Sequence, residues 1–154
     1  MKPNTSLEQG VCAMLMLALQ EGHTPVRSDV IARVLDVSDS YMKKILRKLV
    51  VADLIESSAQ RGGGYTLALP ASKISLADAY RALCGPISPE LSDLPYRVFP
   101  DKKHTEGVKA MLADALEDAD NAYLAQLGRI TLDDMLDAQA AKDGAVNWEE
   151  YEAR

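Results

Sequence analysis

One stretch, residues 28–68 (SDVIARVLDVSDSYMKKILRKLVVADLIESSAQRGGGYTLA), constrains the fold more than any other. Val30, Ile31, Val34 and Leu35 recur at helical spacing, with Ser28 placed to cap the start. Asp36-Val37-Ser38 breaks that period, because short polar side chains compete for backbone hydrogen bonds and favour turns. A second helical period runs through Tyr41, Met42, Ile45, Leu46 and Leu49, and its other face carries Lys43, Lys44, Arg47 and Lys48. Leu54-Ile55-Glu56-Ser57 and Tyr65-Thr66-Leu67-Ala68 then read as two short strands. Between them, Arg61 and the run Gly62-Gly63-Gly64 make a tip that tolerates positive φ and carries one cation. A short helix, a polar turn, a basic-faced helix and a hairpin together describe a winged helix-turn-helix, whose second helix can enter a DNA major groove.

The run SYMKKILRKLVVADLIESSAQRGGGYTLA resembles the signature of the Rrf2 family of winged-helix bacterial transcription regulators. That family includes iron–sulfur cluster regulators, nitric-oxide-sensitive repressors and cysteine-metabolism repressors. The likeness continues in Ile74-Ser75-Leu76-Ala77-Asp78-Ala79 and in Ile130-Thr131-Leu132-Asp133-Asp134-Met135-Leu136, reaching about residue 138. It implies a mainly α fold with a small β-hairpin wing, and a homodimeric cytoplasmic repressor on a pseudo-palindromic operator of double-stranded DNA. The expected organisation is a DNA-binding domain over residues 1–84, a connector and candidate sensing loop over 85–103, dimerisation helices over 104–140, and a polar tail over 141–154. The competing reading is a winged-helix module that docks proteins and binds no specific DNA.

Charge supports the first reading only once it is divided. The chain carries a net −6, but residues 1–84 hold 10 Lys and Arg against 8 Asp and Glu, or +2, leaving −8 for the remainder. DNA approach is governed by local field rather than net charge. Two cysteines, Cys12 and Cys84, make no disulfide framework and suit a cytosolic protein. No apolar run approaches the roughly 20 residues that span a bilayer, so no membrane partner is expected. No Ser/His/Asp grouping or phosphate loop is present, and an enzyme is not expected.

The candidate DNA contacts follow from position. Ser38, Asp39, Ser40 and Tyr41 open the second helix, where side chains and backbone N–H groups face a groove. By the resemblance, Ser38, Ser40 and Tyr41 match family positions that contact DNA, and Ser28 is grouped with them. Lys43, one turn along, is placed to donate to guanine O6 and N7. Lys44, Arg47 and Lys48 are phosphate contacts or a plain solvated face. Arg61 is placed to enter a minor groove, where narrow A·T tracts concentrate negative potential. Gly62 and Gly63 share that tip and serve its conformation.

The connector GPISPELSDLPYRVFPDKKHT contains no cysteine, whereas cluster-bearing relatives carry three closely spaced ones there. No metal or other cofactor is therefore expected, and His104 and Glu8 read as ordinary surface residues. A small-molecule effector or thiol oxidation takes the cluster's place. Cys84 is the candidate thiol, against the alternative of an inert, buried side chain at a helix C-terminus. Leu91, Leu94, Tyr96 and Phe99 either line an effector pocket or join the core. From about Thr105 to Gln126 a helical period returns, with Val108, Met111, Leu112, Ala115, Leu116 and Ala119 in an apolar stripe. That stripe covers a second copy of the chain or packs on its own domain. Thr131 is expected to cap a last short helix, and Trp148 in the tail either docks on the body or frays with it.

Overall fold

The first helix, α1 (Thr5–Leu19), buries residues on most of its circumference, among them Val11, Ala13, Met14, Met16, Leu17 and Ala18. In the computed structural model of the chain, which describes residues 5–60, 62–88, 90–136 and 144–152, it is the floor of a head. Above it stand α2 (Ser28–Val34), α3 (Asp39–Val51), the strands β1 (Ile55–Ser57) and β2 (Tyr65–Leu67), and α4 (Leu76–Cys84). One side of α3 supplies Met42, Ile45, Leu46 and Leu49 to a shared core with Met14, Ile31, Ile55 and Ile74. Burying one stripe of a helix commits the opposite stripe to solvent, and here that is where the cations are.

The α2–α3 turn is tight. Asp36 sits at φ +52, a left-handed conformation that Asp tolerates better than most, and Val37 N–H donates to Ala32 O at 3.0 Å. Ser38 caps α3 by accepting from Tyr41 N–H at 3.3 Å. Ser28 does not cap α2. It is the first helical residue, the capping position belongs to Arg27, whose side chain makes no capping bond, and the Ser28 hydroxyl is engaged elsewhere.

β1 and β2 pair antiparallel with Ile55 opposite Leu67 and Ser57 opposite Tyr65. Val26 adds a one-residue third strand, exchanging bonds of 3.0 and 2.8 Å with Tyr65, so the wing is stitched to the loop before α2. Ser75 and Asp78 form a reciprocal capping box that starts α4.

Beyond the head, the prolines confine the connector to one short helix, α5 (Pro95–Val98), followed by the long α6 (Lys102–Leu127). α6 starts earlier than its apolar stripe suggests because Asp101 caps it, accepting from His104 N–H at 2.9 Å. It leans on α4 through edge-to-face rings of Tyr80 and Tyr123 at 5.4 Å, and Ser88 Oγ donates to Asp120 Oδ1 at 2.7 Å. Thr105 is its one buried residue.

The chain then returns to the head. Leu132 is fully buried in the head's core, and Leu132 N–H donates to Ile74 O at 2.9 Å. After Thr131 the described residues form a 3-10 turn, Asp133–Met135, which ends where Leu136 turns extended, and residues 137–143 of the expected helix and tail lie outside the described residues.

The tail docks. Trp148 is buried against α1, its indole Nε1 donates to Met16 O at 2.8 Å, and its backbone N–H donates to Gln20 Oε1 at 3.3 Å. Val146 pairs with Gln20, and Arg33 on α2 donates to the carbonyls of Trp148 and Glu149 at 2.8 and 3.2 Å. Replacing Trp148 with Ala removes a large buried ring and orphans the Met16 side of the contact. The expected cost is about 3–5 kcal/mol, measured as a lower urea midpoint by circular dichroism.

Candidate nucleic-acid interface

The exposed stripe of α3 carries Ser40, Lys43, Lys44 and Arg47, with Ser38 at its N-terminus and Tyr41 at its flank. Ser38 Oγ and Ser40 Oγ lie 3.4 Å apart, and Tyr41 is 37% exposed, so three polar groups cluster at the N-terminus of α3. Lys44 and Arg47 form no ion pair or hydrogen bond among the described residues and present undivided charge to solvent.

Asp39 and Ser28 have a different role from the one expected of groove contacts. Asp39 accepts from Ser28 Oγ at 2.6 Å and pairs with Lys43 Nζ at 2.7 Å, so one carboxylate ties the start of α2 to the start of α3. The Lys43 and Ser28 bonds hold the Asp39 carboxyl below its ordinary range, and the same carboxylate raises the Lys43 ammonium. Ser28 is buried and spent on this link. The Lys43 side chain stays 59% exposed, and its ammonium keeps donors beyond the one that meets Asp39.

The wing tip is shaped by backbone. Gly62 stands at φ +81, Gly63 N–H donates to Gln60 O at 2.7 Å, and Ser58 N–H donates to Gly64 O at 2.8 Å. Gly64 lies so close to the Val26 backbone that any Cβ there would collide with it. Arg61 lies outside the described residues.

Two cations escaped the sequence reading. Arg27, just before α2, makes a bidentate pair with Asp29 at 3.0 and 2.7 Å and approaches Glu149 at 3.9 Å. Arg81 on α4 comes beside Lys44, Arg47 and Lys48. Neither lies in a periodic basic run, so nothing in the sequence marked them.

The connector residues are mostly on the outside. Leu91, Leu94 and Tyr96 are exposed, Leu94 by 61%, and Phe99 is half-buried edge-on to His104 at 4.8 Å. Tyr96 lies under Lys109 Nζ at 5.1 Å. Three of these four are thus exposed in the single chain. On α6, Met111 is 72% and Leu112 44% exposed, Ala115 and Ala119 are exposed, and Val108 and Leu116 are half-buried. The stripe is not covered by its own head. Cys84 is half-buried at the edge of the core, and burial with the nearby Glu8 pushes the Cys12 thiol up.

The Rrf2 family profile, described as an iron-dependent transcriptional regulator, matches residues 4–138. The chain belongs to the Rrf2 family. YwgB of Bacillus subtilis, provisionally named an HTH-type transcriptional regulator, is 40% identical over 55% of this chain and 54% of its own length. The HTH-type transcriptional regulator CymR of the same organism is 34% identical over 58% of this chain and 64% of its own. The chain thus spans about half to under two thirds of these curated relatives. Among solved structures, IscR of T. potens aligns with TM-score 0.62 at 26% identity, covering 98% of this chain and 97% of that one.

The residues here do not fit the iron chemistry of the family description. Iron–sulfur clusters are held mainly by thiolates. Cys12 and Cys84 are on separate helices, the connector has no cysteine, and no group of three His, Cys, Asp or Glu placed to hold a metal occurs among the described residues.

The Asp39 link has a pH signature. A carboxyl whose folded pKa is depressed adds stability above its unfolded value, near 4, and loses it as pH falls through the folded value. Asp29 and Asp134 are depressed in the same direction by Arg27 and by Thr131. Asp39→Asn should therefore flatten, without abolishing, the fall in thermal stability below about pH 4. An unchanged acid slope in calorimetry would remove Asp39 from the link.

Proposed function

We propose that the chain is a homodimeric repressor that binds a pseudo-palindromic operator through α3 and the wing, and is released by a small ligand or thiol oxidation. The carrying observation is the face of α3: Lys44 and Arg47, without partners among the described residues, along an exposed stripe, and Ser38 capping the N-terminus beside Ser40. Phosphate contacts position such a head, and base-edge contacts from Ser40, Tyr41 and Lys43 would specify sequence. Family membership supports the reading, and repression at an operator would place the protein in the cytoplasm. A footprint on the DNA upstream of the protein's own gene, repeated with oxidant and reductant, tests it. Lys44→Ala is expected to weaken all duplexes alike and to flatten the salt dependence by about one phosphate contact, a slope change near 0.9. Equal, salt-insensitive affinity for every duplex would favour a protein-docking role instead.

Dimerisation is supported by the bare side of α6. Leu112 and Met111 present apolar surface along a helix of 26 residues that buries one residue of its own. A two-fold contact would bring this stripe against its copy and fix the spacing of the two heads. Leu112→Glu would place an unpaired charge in that contact. Sedimentation should show a folded monomer with greatly weakened operator binding; a dimer that binds as tightly as the wild type would refute the assignment.

A further inference from the structure

We propose that the DNA-contacting surface continues past α3 onto α4, along a groove in which Lys48 and Arg81 hold a backbone phosphate beside those met by Lys44 and Arg47. The inference rests on the DNA-binding reading and extends it from α3 to Arg81 on α4, a cation outside the helix-and-wing contacts, with Lys48 as its neighbour on the α3 side.

A groove of about 570 Å³ opens between the C-terminal half of α3 and α4, lined by Lys44, Arg47, Lys48, Val51, Ala52, Arg81 and Ala82. Four of its seven lining residues are cations. Ala52 and Ala82 contribute short side chains to its lining, which leaves the groove open between the cations. Val51, 77% exposed, offers an apolar surface of the kind a deoxyribose can cover.

Lys48 and Arg81 line this groove from α3 and α4. Lys48 Nζ donates to Leu83 O at 3.3 Å, which anchors the side chain to the end of α4 without neutralising its charge. Arg81 is 58% exposed, and the carboxylate facing it, Asp78, stands at 3.6 Å while also closing the Ser75 capping box. Asp78 therefore screens Arg81 only in part.

Continuity selects the occupant. Lys44 and Arg47 belong both to the exposed stripe of α3 and to this groove, so a duplex lying along the stripe passes its sugar-phosphate strand over the groove. An isolated cation of this kind adds counterion release and no sequence preference.

The test uses the full chain and a random-sequence duplex, so no operator needs to be known. Log affinity is measured against log salt by fluorescence anisotropy of the labelled duplex for wild type, Lys44→Ala, Lys48→Gln, Arg81→Gln and Arg81→Glu, each with a melting curve to confirm folding. Arg81→Gln and Lys48→Gln should each reduce the slope by about 0.9, and Arg81→Glu by more. Relative affinities across duplexes of different sequence should stay fixed. Unchanged slopes for folded Arg81→Gln and Lys48→Gln, with Lys44→Ala altered, overturn the groove assignment and leave the DNA reading intact. A reduced slope accompanied by altered sequence preference would make Arg81 a base reader and overturn it equally. A wild type that binds no duplex refutes the DNA reading itself.

Discussion

The head depends on how one face of α3 is buried. Met42, Ile45, Leu46 and Leu49 are each no more than 3% exposed, and they meet α1, α2, α4 and β1 at once. A helix clamped along one stripe has no rotational freedom left, so the direction of Lys44 and Arg47 is set by hydrocarbon packing on the other side. The polar links then adjust what the core has fixed. Asp39 joins α2 to α3, Lys48 joins α3 to α4, and Val26 joins the wing to the α2 entry loop. Asp39 and Lys48 sit at the rim of the core and Val26 lies within it, so the links reach from the packed interior to the surface.

The same logic separates the head from the long helix. α3 is short and buried on one side, whereas α6 has 26 residues and touches the head near its C-terminal half through Tyr123 and Asp120. Its other half is met by α5, where Tyr96 lies under Lys109 Nζ at 5.1 Å, and by Asp93 just before α5, which pairs with Lys109 at 2.9 Å. At about 1.5 Å per residue the helix is roughly 39 Å long. A small tilt at the Tyr80–Tyr123 contact is therefore magnified at the far end, and the connector lies across both.

Much of this was legible from periodicity. The α2 and α3 faces, the two strands and the broad extent of α6 follow from spacing of apolar residues, because local patterning decides which side of an element is buried. The glycines of the wing were equally legible, since they mark positive φ at Gly62 and close backbone approach at Gly64. What was not legible depends on residues distant in sequence. Ser28 looks like a helix cap until Asp39, eleven positions on, claims its hydroxyl. Asp39 looks like a groove residue until Ser28 and Lys43 occupy it. Leu132 has no periodic run around it, and Trp148 lies in a polar tail, yet both enter the core. Arg81 shows only when α4 is laid beside α3.

The Trp148 contacts join positions 128 and 132 apart in the chain, to Gln20 and Met16. They also reach α2 through Arg33. On a ribosome, α1 through α4 emerge long before residue 148 does, and they wait with the outer side of α1 uncovered while the connector and α6 are synthesised. Residue 148 is made after them, so this contact follows theirs in assembly. The head thus reaches its finished form after the long helix is already available, which orders the events: the element that would join two copies is made before the element that would read DNA is complete.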